Sequence, residues 1–344
     1  MLKAAVAGTG LIATVKHLPA WNRIPDLATL VAIADVDAER GAQVAQQFNV
    51  PRAYTDLGEL LEREKPDVVD ICTPPRTHAP LAIQAMRGGA HVLVEKPFAV
   101  TVEECDEILE VANETGRSVC VGHSDLFYPS YMRIRRAVQG GAIGEFRGMR
   151  IFLSTPVDYI TSKPDHWANA LPGGVIGETG PHVVYMTVPF INPIIDVQVQ
   201  ASKLLPAYSW SPYEDYRVDL IGENAVSSVT LTYATNQWAA EVDVWGERGR
   251  MSADLESQNV VRENRTALSA AAVGLGAVSE AAQLLAGTVT TGARYAARRL
   301  PTTHDLLIRE FCESIVAGRP APVPGQEGRE TIRVMNMIVD RLGA

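Results

Sequence analysis

At 344 residues the chain is too long for one comfortable core, so two domains are expected. Apolar residues at 47% and charged residues at 21% are ordinary for a globular protein, and a net charge of −9 without a basic block argues against nucleic acid or an anionic membrane as a partner. Cys72, Cys105, Cys120 and Cys312 are scattered without a CxxC pair, which predicts reduced core thiols in a cytoplasmic protein, with neither a disulfide framework nor a metal site.

The N-terminus, MLKAAVAGTG, enters a strand-like run at once and lacks the layout of a signal peptide. Leu2 to Ala7 ends in Gly8-Thr9-Gly10, and Leu30 to Ala34 ends in Asp35. Val68 to Cys72 leads into Thr73-Pro74-Pro75, Val92 to Val94 into Glu95-Lys96-Pro97, and Val119 to Val121 into Gly122-His123. Short apolar runs of this kind suit strands buried on both faces. Helical patterns separate them. One begins at Thr77 and ends at Gly88-Gly89; another opens with the capping box Thr101/Glu104 and stops at Gly116. Repeated strand-helix-strand order predicts a parallel sheet with right-handed crossovers. Ligands bind such a sheet beyond the carboxyl ends of its strands, which makes the five strand ends one candidate site. The adjacent charges Glu95 and Lys96 fall on it.

At the first of these ends, GTGLIA places Gly8, Gly10 and Ala13 at the positions of a GxGxxG/A fingerprint. Gly8 permits a tight turn, Gly10 lets a pyrophosphate approach the backbone, and Ala13 allows close packing of the helix whose first amides, from Thr9, Leu11 and Ile12 onward, meet the phosphates. Asp35, at the end of the second strand, can accept hydrogen bonds from both ribose hydroxyls, and its charge repels a 2′-phosphate. A dinucleotide is expected, with NAD favoured over NADP. Asp37 is better placed than Asp35 to cap the following helix.

After Pro129 a helix runs to about Gly140-Gly141. Beyond it, AIGEFRGMRIFLSTP opens a long strand, and alternating runs at Ile194–Ser202, Tyr216–Ile221, Ala225–Ala234 and Ala239–Trp245 predict an antiparallel sheet with one covered face. Helices at Thr303–Ala317 and Glu327–Leu342 close the chain. Within PGGVIGETGPHVVYM, Gly180-Pro181 predicts a turn between Glu178 and a helix starting near His182. Glu178 could orient the imidazole, and the helix N-terminus would favour its neutral form. From Ala267 to Ala293 the only charge is Glu280, which divides the stretch into halves too short for a membrane span. A helical pair buried against the protein or a partner subunit is expected there.

On "GTGLIA", "CTPPRTHA" (72–79), "HVLVEKPFAV" (91–100), "GAIGEF" (141–146), "GGVIGETGPH" (173–182) and "LIREFCESIVAGRPAPV" (307–323), the chain resembles the glucose-fructose oxidoreductase / inositol dehydrogenase / rhizopine-catabolism (Gfo/Idh/MocA) family. The resemblance implies a Rossmann domain with a doubly wound parallel sheet over 1–122. Residues 123–344 would form a substrate-binding and oligomerisation domain on a large open, mostly antiparallel sheet, with an Ala/Gly-rich insertion at about 255–300. The last helix would be free to pack back on the first domain. It implies NAD(P)-dependent interconversion of an alcohol and a ketone on a sugar, polyol or cyclitol, in a homodimer or homotetramer built through the second sheet. Lys96 corresponds to the family's active-site lysine and His182 to its proton-transfer histidine, with Glu178 beside it. Thr73, Pro74 and His78 match the segment flanking nicotinamide and ribose, and Glu95 and Pro97 position Lys96. Substrate contacts are expected from His123, Lys163, Asp165, Trp167, Glu178 and His182. Two positions depart from the family pattern, which has Asp at 178 and Asn at 124, where this chain has Glu178 and Ser124. An NAD-dependent glycosidase and a non-catalytic NAD-binding sensor are the alternatives.

Overall fold

The computed structural model describes residues 1–263, 265–297 and 300–343. Within the insertion expected at 255–300, residues 264, 298 and 299 therefore lie outside the described residues. The chain divides into two compact units, Met1–Ser124 with Pro301–Arg333, and Asp125–Leu300 with Val334–Ala344.

In the first unit the order is β1 (Leu2–Ala7), a π-helical turn at Ala13–His17 running into α1 (Leu18–Trp21), β2 (Ala28–Ala34), α2 (Ala38–Phe48), β3 (Ala53–Tyr54), α3 (Leu57–Glu64), β4 (Val68–Ile71), α4 (His78–Arg87), β5 (His91–Val94), α5 (Val102–Thr115) and β6 (Val119–Val121). The sheet is parallel, in the order β3-β2-β1-β4-β5-β6. Every residue of β4 and β6 is buried, which explains their unbroken apolar pattern. The helix starts follow the predicted caps. Asp37 accepts from the Arg40 amide at the head of α2, and Thr101 and Glu104 form a reciprocal capping box on α5. The strand order reverses between β1 and β4, so the carboxyl ends of those strands flank the position where this architecture holds dinucleotides.

The second unit begins with α6 (Pro129–Gln139), β7 (Phe146–Pro156), α7 (Ile176–Thr187), β8 (Ile194–Ser202), β9 (Asp215–Gly222), β10 (Val226–Thr235), β11 (Ala239–Gly246), β12 (Gly249–Asp254), β13 (Val260–Glu263) and α8 (Ala270–Ala296). Its seven strands are ordered β13-β12-β11-β7-β10-β9-β8. All pairings are antiparallel except β7 with β10, which is parallel. The fold class is the one the sequence predicts: a parallel Rossmann sheet, then a mostly antiparallel one. After α8 the chain continues into α9 (Thr303–Val316) and α10 (Gly325–Leu342).

Two expectations fail. The turn predicted at Gly180-Pro181 lies inside α7, which already begins at Ile176. Glycine makes the early start possible, because a Cβ at Gly177 would meet Leu171 at 2.7 Å and one at Gly180 would meet Met335 at 2.8 Å. Pro181, the sixth residue of the helix, forgoes the bond to the Gly177 carbonyl, and α7 continues through it to Thr187. The stretch around Glu280 is likewise one continuous helix of 27 residues, not a helical pair, and none of its residues is buried. By length and composition alone it is long and apolar enough to cross a membrane. Glu280 does not interrupt it, because Arg265 donates to its carboxylate at 3.1 Å.

Candidate functional site

In the first unit the loop after β1 turns at Gly8, whose φ is +89°. A Cβ there would stand 2.8 Å from the Cys72 carbonyl group, so only glycine fits against the end of β4. Gly10 has nothing within 4 Å of where its Cβ would be, and Leu11 is 81% exposed. The result is an open backbone surface at the switch point, backed by Thr73. Asp35 lies beside it, nearly buried. Its carboxylate accepts from the Thr9 amide (2.8 Å) and hydroxyl (2.6 Å), from the Asp37 amide (2.9 Å), and from Arg40 Nη2 (2.6 Å) and Nε (3.3 Å). Burial pushes its pKa up, but the Arg40 and Thr9 hydrogen bonds outweigh it and hold the carboxyl far below the usual range.

These features fit NAD: a cradle that tolerates no side chain at Gly8, open space at Gly10, and a permanently ionised acid at the second strand end. The sequence reading missed Arg40, which is half exposed and must yield for ribose hydroxyls to reach Asp35. It also offsets the charge that would repel a 2′-phosphate. Asp35→Ser is therefore expected to erode an NAD preference of at least about tenfold, and Arg40→Ala to widen it. Fluorescence titration with NAD and NADP reads both variants; a native protein that prefers NADP would refute the assignment.

Further along the sheet, Lys96 follows β5, and its amide donates to Glu95 Oε2 at 2.9 Å. Glu95 is held from behind. His17 Nε2 stands 2.8 Å from Glu95 Oε1, while His17 Nδ1 stands 2.8 Å from Asp70 Oδ2, which also accepts from Trp21 Nε1 at 2.7 Å. His17 and Asp70 are fully buried, and His304 of α9 packs edge-on against the His17 ring. Burial disfavours charge on His17, yet Asp70 and the surrounding acceptors raise its pKa well above the usual value. For Glu95, burial is outweighed by His17 and His304, which hold its pKa well below the usual value. An imidazolium thus sits between two carboxylates. His17, Asp70 and Cys72, or His17, Glu95 and His304, come close enough to suggest metal ligands. However, both His17 nitrogens already face carboxylate oxygens at hydrogen-bond distance, as an ion-pair triad requires. His78 is buried, with its ring nitrogens 2.8 Å from the carbonyls of Pro97 and Thr73, and so ties the loops after β4 and β5 together. Thr73 is partly exposed, Pro74 is exposed, and His123 is buried just after β6. Cys72, Cys105, Cys120 and Cys312 are all buried free thiols, and burial pushes Cys105 and Cys312 up to about 12.

In the second unit α7 carries Glu178 and His182 one turn apart, both partly exposed. The partner of the imidazole is Asp125, whose Oδ2 lies 2.6 Å from Nδ1; the Tyr185 hydroxyl lies 2.6 Å from the same nitrogen. Nε2 is then the nitrogen on which a proton can come and go. His182 is the seventh residue of α7, beyond the turn where the helix N-terminus acts, so the predicted dipole effect does not apply. Asp125 and Tyr185 were missed by the sequence reading. Asp125 had a signal, as the single acid between Glu114 and Glu145. Thr179, next to Glu178, hydrogen-bonds the Tyr233 hydroxyl. Lys163, Asp165 and Trp167 lie exposed on the loop between β7 and α7. The Lys163 ammonium is turned back onto the Tyr159 carbonyl at 3.0 Å, and Trp167 stacks on His166. Among the described residues no hydrogen bond, ion pair or ring contact joins these three to His182.

The model of an oxidoreductase family with an NAD-binding Rossmann fold (GFO_IDH_MocA) matches residues 2–123, and that of the GFO/IDH/MocA C-terminal domain matches residues 131–252. The 4-carboxy-2-hydroxymuconate-6-semialdehyde dehydrogenase of Sphingobium is 35% identical over 142 residues, 41% of this chain and 44% of that protein. The D-apiose dehydrogenase of Paraburkholderia graminis is 29% identical over 279 residues, 78% of this chain and 72% of its own length. The chain thus spans less than half of the first relative and most of the second. An Agrobacterium radiobacter oxidoreductase solved with NAD+, L-tartaric acid and magnesium superposes with a TM-score of 0.80 at 18% identity, covering 99% of this chain and 96% of that one.

Proposed function

Because the chain belongs to the GFO/IDH/MocA oxidoreductase family, we propose that it interconverts a secondary alcohol and a ketone on a sugar, polyol or cyclitol. NAD, when bound, supplies the hydride acceptor or donor. Asp35 and the Gly8–Gly10 turn hold the cofactor, Lys96 stabilises developing alkoxide charge on the substrate oxygen, and His182 Nε2 takes or returns the hydroxyl proton. The observation that carries this reading is the pinned imidazole. With Nδ1 held by Asp125 and Tyr185, the ring is oriented and its charged form supported, as a general base requires and a sensor does not. A sugar substrate is favoured by the D-apiose dehydrogenase, which aligns over most of both chains.

A panel of polyols, sugars and cyclitols, followed by nicotinamide absorbance with NAD and NADP, tests the reading. Stoichiometric cofactor reduction supports it. Substrate cleavage without net change in the cofactor would indicate a glycosidase instead. Asp125→Asn keeps volume and removes charge, so it is expected to lower kcat about 100-fold and to shift the pH–rate profile. Glu178→Asp is expected to act mainly on KM, because Asp125 already supports the imidazolium. The reverse result, with Glu178→Gln worse than Asp125→Asn in kcat, would make Glu178 the supporting carboxylate.

A further inference from the structure

We propose that the outward face of α8 docks against α8 of a second copy of this chain, with the two helices antiparallel. The helix is already fixed on one side. The Gln283 side chain accepts from the Arg262 amide (2.9 Å) and donates to the Arg262 carbonyl (3.1 Å), and Asn259 Nδ2 donates to Thr288 Oγ1 (3.1 Å). A Cβ at Gly287 would overlap Asn259 Oδ1, so α8 lies tight along this part of the chain beside β13. The opposite side reads Ala271, Leu275, Val278, Ala282, Leu285, Val289, Gly292 and Ala296, at alternating steps of four and three. That is the seam of a helix that packs on another helix. Leu275, Val278, Leu285 and Val289 are 72, 67, 68 and 62% exposed, whereas Val273 and Leu284, off the seam, are 38 and 45% exposed. Every polar or charged residue of α8 lies off the seam.

The seam fits itself. Reversing one helix about a two-fold between Ala282 and Leu285 sets Leu275 opposite Gly292 and Leu285 opposite Ala282, so each leucine meets a small residue, and it sets Val278 opposite Val289. Gly292 has nothing within 4 Å where its Cβ would stand, which leaves room for a leucine. A parallel pair would set leucine on leucine and leave gaps at Ala282 and Gly292. Antiparallel helix dipoles also oppose favourably. In a chain of net charge −9, an uncharged strip about 40 Å long is where two copies can approach without repulsion. A bilayer fits less well: spanning it would strip α8 from β13 or carry Glu280, Arg265 and the Arg262 backbone into hydrocarbon.

Leu275→Glu/Leu285→Glu charges the seam at two exposed positions and leaves the core alone. Light scattering is expected to give half the native mass, with unchanged circular dichroism and NAD affinity. A native monomer, or a double variant of native mass, overturns the proposal. Leu275→Cys/Gly292→Cys is expected to cross-link into dimers on oxidation, and neither single variant should do so. Self-cross-linking of the single variants would overturn the antiparallel arrangement. Native protein that floats with phosphatidylcholine/phosphatidylglycerol vesicles, with flotation lost in the charged variant, would assign the seam to a membrane and overturn the proposal.

Discussion

Replacing His182 by alanine is expected to lower kcat by about 10²–10⁴-fold while NAD affinity stays close to native, because the change removes the group that moves the hydroxyl proton. The geometry of the second unit sharpens this. Asp125 and Tyr185 converge on Nδ1, so only a replacement that restores a basic nitrogen facing away from them can recover the rate. Glutamine at 182 keeps polarity without basicity and should be nearly as slow as alanine. Lys96→Ala is expected to lose at least as much, since positioning and charge go together. Lys96→Arg keeps the charge but spreads it over a planar fork, and should recover only part. Steady-state kinetics from acid to alkaline pH, with NAD binding measured separately, check both positions. A His182→Ala enzyme of near-native kcat at every pH would show that the proton leaves by another route.

His17→Gln is expected to be the most destabilising conservative change in the first unit. It removes a cation held between the buried carboxylates of Asp70 and Glu95 and leaves them facing one another. Breaking a buried pair in this way costs about 3–5 kcal/mol, or a drop of roughly 6–20 °C in Tm for a unit of this size. The pH dependence has a definite sign. The His17 pKa is raised above its ordinary 6.5, so its contribution is complete below that value and fades as pH rises through the higher folded one. The Glu95 pKa is lowered below its ordinary 4.5, so its contribution is complete above that value and fades as pH falls through the lower folded one. Native stability from the triad is therefore greatest between about 4.5 and 6.5. The variant should lose the alkaline decline, and its deficit should shrink in acid, where protonating one carboxylate relieves the repulsion. Urea melts across pH measure this; a variant within 1 kcal/mol of native with a parallel profile would mean that the triad is not charged. The Lys96 amide hangs on the other Glu95 oxygen, so kcat should fall as well.

Much of the first unit could be read from the chain because its signals are local. An apolar run, a glycine turn and a capping box each span a few residues, and the strand ends gave Gly8, Asp35 and Lys96 directly. His17 could not be found that way: its two partners lie 53 and 78 residues further on, and a lone histidine carries no period. Asp125 and His182 are separated by 57 residues, whereas Glu178 lies one helical turn away, so proximity in sequence points to Glu178 and gives no sign of Asp125. At α7 and α8 the errors had one form. Gly180-Pro181 is a strong local break signal and Glu280 a lone charge in an apolar run, yet α7 and α8 run through them, with Glu280 accepting from Arg265.

The parallel pairing of β7 with β10 has a consequence during synthesis. One neighbour of β7 is β10 and the other is β11, so the strand that ends at Pro156 finds no sheet partner until about 80 further residues, up to Thr235, have been made. At 5–20 residues per second this is a wait of about 4–16 s with an 11-residue strand exposed on both edges. Arg147 and Arg150 stand on that strand, and in the finished sheet Arg150 pairs with Asp243 of β11 at 2.6 Å. Before β11 exists, Arg150 lacks that partner, while Arg147 has Glu145 beside it at 2.9 Å, and both charges stand on an unpaired strand. They make β7 a poor template for another nascent chain, and the charge that later fixes its neighbour first keeps strangers off.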